Sequence, residues 1–218
     1  MYTITEENYL KAVFKLSEED QSVGTNELSQ ALGTSPASVT DMMKKLSDKK
    51  LVHHQPYKGV RLSASGRKLA LEIVRKHRLW EVFLVEKLQF NWDQIHDIAE
   101  QLEHIQAPEL ILKLDAYLGF PRFDPHGDPI PDASGKFETR KTILMQNCIP
   151  GDMLSIAGVT LHSADFLQYL DKQKLNIGRK LKVVEVLPFD HSLVLELGAV
   201  RITVSAKVSA HILVIKNR

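Results

Sequence analysis

A chain of 218 residues, 44% of them hydrophobic, is long enough for one large domain or two to three small ones with real cores, and global disorder is excluded. A net charge of +1 argues against a generic polyanion binder, and a single cysteine, Cys148, excludes an internal disulfide framework and a cysteine-based zinc finger. No apolar run reaches the ~18 residues of a membrane span, and the opening MYTITEENYL lacks the regions of a signal peptide, so a soluble cytoplasmic protein is expected.

The first helix is expected from about Thr5 to Glu19, with Tyr9, Leu10, Val13, Phe14 and Leu16 on its apolar face. A second opens near Thr25 or Asn26, both good caps, and stops at Gly33. In the next segment, TSPASVTDMMKKLSDKKLV, Ser35 is placed to cap, Pro36 suits a first helical turn, and Val39, Met42, Met43 and Leu46 form a stripe. Helix, glycine-containing turn and helix make a helix-turn-helix pattern. The following LVHHQPYKGVRLSASGRKLA reads as strand, turn at Lys58-Gly59, strand and helix start, so that the hairpin forms a wing.

Charge follows the same division. Residues 1–35 carry two lysines against six acids, whereas residues 36–70 carry eight Lys or Arg against Asp41 and Asp48 alone. Ser35, Pro36, Ala37, Ser38, Thr40 and Asp41 occupy the exposed start of the helix that would enter a major groove, with Thr25 at the start of its partner. Lys44, Lys45, Lys58 and Arg61 stand where they could reach phosphates. For the small polar residues the plain alternative is capping and solvent exposure; His53 and His54 read as surface residues of the wing.

A long helix is expected from about Ser65 to Lys87, carrying His77 and Glu81 as an i, i+4 pair, which could equally be an ordinary hydrogen-bonded pair. Beyond it, HDIAEQLEHIQ (96–106) places His96, Glu100, Glu103 and His104 at offsets that share one helix face, within roughly 100° of arc. Ile95, Ile98, Ala99, Leu102 and Ile105 make a separate apolar stripe, so the polar face borders a core. Two carboxylates on such a face need open water or a cation. A further helix is expected over Ala107 to Phe120, and the three together suggest a dimerisation unit.

Residues 121–141, with four prolines and two glycines, read as a linker or a long surface loop. From there MLSIAGV, LKVVEVL, SLVLEL, AVRITVS and HILVIKN are short β-rich runs that argue for a small barrel, interrupted by one helical period at 163–173.

With a winged helix, RKHRL followed by H-D-x-A-x-x-x-E-H, a GDPIP loop and a terminal β unit in that order, the chain resembles the diphtheria-toxin-repressor family, and its long-form manganese-responsive members above all. The resemblance covers essentially the whole chain. It implies a fold that is mainly α with a small β barrel: a winged helix-turn-helix over 1–70, a helical metal-binding and dimerisation unit with its proline-rich linker over 71–141, and an SH3-like, FeoA-type unit over 142–218. It implies a repressor that binds palindromic operators as a homodimer when loaded with Mn²⁺ or, alternatively, Fe²⁺. The family's primary metal site maps to Asn8, Glu100, Glu103 and His104, its ancillary site to His77, Glu81 and His96, with His162 and Asp165 at the corresponding barrel positions.

Departures from the family pattern matter. Position 100 is Glu where iron-responsive members carry Cys, and a hard carboxylate in place of a soft thiolate favours Mn²⁺. Position 8 is Asn where manganese-responsive members carry Asp and iron-responsive ones Met, so its ligand brings no charge and Glu7 or water is the alternative donor. Lys11 cannot ligate where short-form manganese regulators place Glu. Among other classes, a di-metal carboxylate enzyme would need Glu-x-x-His motifs on two helices, and neither Glu100 nor Glu103 has His three residues on. A winged-helix regulator of a non-metal ligand would leave the carboxylates merely solvated, and a scaffold would leave the recognition helix without purpose.

Overall fold

The computed structural model describes residues 2–17, 21–55 and 58–217; the expected helix end at Glu19 and residues 56–57, before the expected wing turn at Lys58-Gly59, lie outside them, and the first helix already stops at Leu16 with Ser17 extended. Helix α1 (Ile4–Leu16) starts where Thr3 can cap it. The Thr3 hydroxyl accepts from the Glu6 N–H and the Glu6 carboxylate accepts from the Thr3 N–H, so two donors that a helix start leaves free are satisfied. Helix α2 (Thr25–Leu32) ends at Gly33, whose left-handed φ of +60° suits a residue without a Cβ. Helix α3 (Pro36–Asp48) follows at once, capped by the Ser35 hydroxyl, with Pro36 in the first turn where its missing N–H costs nothing.

Strands β1 (Val52–Gln55) and β2 (Gly59–Leu62) pair antiparallel as the wing, and Val23 bridges to Val60 beside them. Leu10, Val13, Leu28, Val39, Met43, Leu46 and Val60 close a core between these elements. The result is a winged helix-turn-helix.

Helix α4 (Ala64–Glu86) joins this core to the next: Ala70 packs in the first, while Leu79, Val82 and Leu84 pack with Ile95, Ala99, Ile111, Leu114 and Ile130 in the second. Helices α5 (His96–Leu102) and α6 (Pro108–Tyr117) supply the rest of that second core. The stretch 96–106 is therefore not one continuous helix. It stops at Leu102 with Glu103 as its C-cap and His104 in the turn beyond, and both side chains are bonded to other helices.

Residues 121–141 are a packed loop rather than a free linker. Arg75 of α4 donates to the Pro131 carbonyl at 2.6 Å, Arg78 donates to that of Pro129, and Ile130 is buried in the helical core. At Gly127, φ is +90° and a Cβ would stand 2.2 Å from the Ala157 carbonyl oxygen, so only glycine lets the loop lie this close to the C-terminal unit.

That unit contains β3 (Ile143–Leu144), β4 (Met153–Val159), α7 (Ala164–Lys172), β5 (Lys180–Val186), β6 (Leu193–Leu197), β7 (Val200–Val204), α8 (Ala206–Ser209) and β8 (Ile212–Lys216). Its antiparallel sheet runs β3-β8-β4-β5-β6-β7. Among the described residues β3 and β7 do not pair, so the sheet is open and is not the closed small barrel expected from the strand count. The two-residue β3 is too short to close it, and Phe166, Leu167 and Leu170 of α7 cover its core face. Trp92, from the turn between α4 and α5, is buried in this third core, and its Nε1 donates to Asp171 at 2.9 Å. Among the described residues no helix is long and apolar enough to cross a membrane.

Glu6 also ties α1 to the far end of α3: Lys45 and Lys49 lie 3.0 and 2.7 Å from its Oε1. Burial opposes ionisation, but the two ammonium groups and the Thr3 N–H prevail and hold the carboxyl down at about 2. The folded pKa lies below the ordinary 4.5, so the stabilisation is full above that pH and is lost as pH falls toward 2. Glu6→Gln is expected to lower unfolding free energy by about 1–2 kcal/mol at pH 7 in denaturant melts, with the deficit shrinking between pH 4.5 and 2.

Candidate metal centre and DNA-facing surface

Four segments meet at one junction: α1, α4, the α5 turn and the 121–132 loop. The 3.6-residue period turns His77 and Glu81 of α4 to the same side, and both are buried. His77 Nε2 lies 3.1 Å from Glu81 Oε1, while its Nδ1 is 2.6 Å from Glu103 Oε2. His96 extends the group, its Nδ1 at 3.6 Å from Glu81 Oε1 and its Nε2 at 3.7 Å from Glu100 Oε1. His77 and His96 meet edge to face at 5.0 Å.

On the α1 side, the Lys11 ammonium donates to Glu100 and, at 2.6 Å, to Glu103. His104 Nδ1 is 2.6 Å from Glu7 Oε2 and its Nε2 is 3.6 Å from Glu103 Oε1. Glu7 also accepts from Gln106 at 2.8 Å, which commits that carboxylate to positioning the turn. Asn8, one helical turn before Lys11, has a buried Oδ1 with no hydrogen-bond partner.

The loop contributes two groups that sequence reading missed. His126 Nε2 is 2.9 Å from the Trp92 carbonyl, an acceptor only, so Nε2 carries the proton of that bond and Nδ1 is left facing Glu81 Oε1 at 3.8 Å. Asp124 accepts from the N–H groups of His126 and Asp128 at 2.8 and 2.9 Å. The F-D-P-H-G sequence held a carboxylate and an imidazole two residues apart, but inside a proline-rich segment with no periodicity to place them. His162 stacks on His126 at 4.6 Å and so stands at the same junction. Asp165 does not: it is exposed in the first turn of α7.

Ligand atoms lie within 4.8 Å of one another in three sets: His77, Glu81 and His96; His77, Glu100 and Glu103; and Glu81, Asp124 and His126. A cavity of about 20 Å³, lined in part by Lys11, His77, Glu81, His96, Asp124 and His162, adjoins these sets. Besides Asn8 Oδ1, the buried Glu81 Oε1, His96 Nδ1 and His126 Nδ1 make no hydrogen bond of proper geometry although they face one another. Buried polar atoms that converge without bonding are costly in a finished core. They fit a divalent cation, since carboxylate, imidazole and amide oxygen are all competent donors.

The electrostatics agree. Against the effect of burial, His126, His77 and His96 hold Glu81 well below the usual carboxylate range. Burial also opposes protonation of His126, but Glu81 and Asp124 push its pKa up to about 9. Burial, reinforced by the charges of Glu81 and Asp128, pushes Asp124 up to about 8. Burial and the nearby His126 charge lower His162. Glu81 thus stays ionised and draws positive charge to itself, whereas Asp124 is pushed toward its protonated form.

On the other side of the winged helix, Ser35, Pro36, Ala37, Ser38 and Asp41 are exposed along the start of α3 and Thr40 is half-buried. Ser35 and Ser38 are tied in the cap, with their hydroxyls 2.9 Å apart, and Thr40 donates to the Pro36 carbonyl. Lys44 is exposed beside Asp41 at 3.5 Å. Lys45 turns to Glu6, and Arg61 donates to Ser22 at 2.9 Å, steadying the wing. Lys58 is exposed at the described edge of the wing, and Thr25 is half-buried in the first turn of α2.

Comparison with known proteins matches three segments of the chain. Residues 1–60 match the family described as iron dependent repressor, N-terminal DNA binding domain; residues 63–132 match iron dependent repressor, metal binding and dimerisation domain; residues 143–216 match the FeoA domain. A solved manganese-dependent transcriptional repressor in complex with manganese is 32% identical, with a TM-score of 0.86, over 97% of this chain and 100% of that one. The manganese regulator SloR is 30% identical, with a TM-score of 0.74, over 97% of this chain and 98% of its own. The diphtheria toxin repressor of Corynebacterium jeikeium is 31% identical over 127 residues, 58% of this chain and 53% of the relative. The match thus spans about half the length of that relative.

Mn²⁺ added to chelator-treated protein is expected to raise the melting temperature, by the equivalent of about 2.7 kcal/mol at a hundredfold excess over Kd. Glu81→Gln, which removes the charge shared by two of the three ligand sets, should reduce that increment in the same thermal-shift series.

Proposed function

Since the chain belongs to the iron-dependent repressor family, that of the diphtheria toxin repressor, we propose that it is a Mn²⁺-responsive transcriptional repressor that binds a palindromic operator as a homodimer. The observation that carries this reading is the junction itself, where buried acids and imidazoles gather between the DNA-binding unit and the helical unit without a thiolate among them. The cysteine lies elsewhere, buried in the C-terminal core. An all-N/O donor set suits Mn²⁺ and Fe²⁺ alike, and Glu at position 100 favours the harder ion.

Asn8, Glu100, Glu103 and His104 would hold one ion, and Glu81, Asp124 and His126 a second, with His77, His96 and His162 around it. A bound divalent cation would supply a second positive charge to these acids and a bond shared between segments. Everything else is work of the chain: α1 carries Asn8 on one face and Leu10 and Val13 of the winged-helix core on another, so its placement against α5 sets where α3 points.

The exposed turn of α3 then offers Ala37, Thr40 and Asp41 to base edges, while Lys44, Lys58 and Arg61 face the phosphate backbone. A homodimer would present two such helices about 34 Å apart, one turn of duplex. Leu112 and Phe120, at 59 and 61% exposure, line one surface beside α6 that a second copy would cover.

Operator binding measured by fluorescence anisotropy should tighten on adding Mn²⁺, and equal affinity with chelator would remove the proposal. Glu103→Gln should abolish that response. Lys44→Ala should weaken binding across sequences and reduce the salt slope by about 1 while metal uptake is unchanged.

A further inference from the structure

Lys11 stands where a cation is needed. It is 5% exposed, and its ammonium bridges Glu100 Oε1 and Glu103 Oε1 from across the α1–α5 boundary. Glu103 has no spare oxygen to offer elsewhere, because its Oε2 is engaged by His77 Nδ1 at 2.6 Å. The oxygen that Lys11 holds is also the one that His104 Nε2 approaches to 3.6 Å, and His96 Nε2 lies 3.7 Å from the oxygen that Lys11 holds on Glu100. Donor groups of three residues therefore contend for the same two carboxylate oxygens.

An ammonium is a compact charge on a flexible four-carbon stem, able to withdraw without breaking its own helix. Space for movement is at hand, since Lys11 and Lys15 both line the adjoining cavity. Against Glu100, burial favours the protonated acid, but the hydrogen bond and charge of Lys11 keep its pKa low, so the carboxylate is maintained ready for a cation.

We propose that Lys11 is a tethered counter-ion that occupies the carboxylate pair in the metal-free protein and must be expelled for a divalent cation to use the same oxygens. The proposal rests on the metal-binding reading above. Two consequences follow. The α1–α5 boundary is cross-linked in both states, so loading exchanges one cross-link for another instead of joining separate parts. The lysine also acts as an intramolecular competitor that sets the concentration at which the protein responds. If the ammonium is withdrawn in only about 1–10% of molecules, apparent affinity is reduced about 10- to 100-fold.

The test compares the full-length wild type with Lys11→Gln, Lys11→Met and Lys11→Arg, reading Mn²⁺ affinity by competition with a fluorescent chelator and melting temperature with and without metal. Gln and Met should bind Mn²⁺ about 10- to 100-fold more tightly. Their metal-free melting temperature should fall while the loaded one is maintained, and Arg should restore metal-free stability. Met fills the lysine's volume without charge, which guards against a loss of fold in the Gln variant. Unchanged or weaker Mn²⁺ binding by Gln and Met, beside a wild type that binds, would overturn the tethered counter-ion alone; equal losses of melting temperature in both states would do the same by marking Lys11 as merely structural. A wild type that takes up no Mn²⁺ would overturn the metal reading and this proposal with it.

Discussion

Glu81, Glu103 and Asp124 are buried, and Glu100 is half-buried, at a junction where no single segment can balance their charge. Carboxylates taken out of water must be protonated, paired or bound to a cation, since an isolated buried ion costs several kcal/mol. All three remedies are used at once. Asp124 is raised into the range where it keeps a proton, Glu81 is crowded by imidazoles, and Glu100 and Glu103 share an ammonium. Glu81 draws imidazoles from the α5 turn and the loop as well as from its own helix, and Glu100 and Glu103 draw their ammonium from α1, so the junction is the point where these segments meet.

The connections outward are short and physical. Lys11 and Glu7 place α1 against the α5 turn, while Glu6, one residue before Glu7, clamps the end of α3 through Lys45 and Lys49. A shift of α1 is therefore transmitted to the recognition helix by an ion pair as well as by the packing of Leu10 and Val13. On the opposite side, the His126 carbonyl accepts from Val159 of β4 at 3.0 Å, and its ring is bonded to the Trp92 carbonyl. Trp92 in turn enters the C-terminal core and donates to Asp171. The C-terminal sheet thus fixes the loop that presents Asp124 and His126, and removing it would unseat those two groups.

The helical half of this architecture was legible because its signals are periodic or local. Ser35-Pro36, Gly33 and the Val39-Met43-Leu46 stripe define α2 and α3 without tertiary help, and His77-Glu81 follows from helix geometry. The α5 ligands were recognised for the right residues but with too regular a shape: Glu103 and His104 leave the helix because their partners, His77, Lys11 and Glu7, lie on elements that no local pattern reveals. Asp124 and His126 were hidden for a related reason. Proline and glycine density marks a loop but not whether it packs, and the packing depends on Arg75, Arg78 and the bare Cα of Gly127, distant in sequence. The strands of the C-terminal unit were visible from their β-branched runs, whereas closure depends on edge pairing between β3 and β7, which alternation does not encode.

The claim on which the account rests is that this junction holds divalent cations in direct contact with its acids. Anomalous scattering from crystals of the Mn²⁺-loaded protein measures it most directly. The account predicts one peak among Asn8, Glu100, Glu103 and His104 with the Lys11 ammonium displaced, and a second among Glu81, Asp124 and His126. Loaded crystals with no peak at the junction, and Lys11 still bridging Glu100 and Glu103, would contradict it.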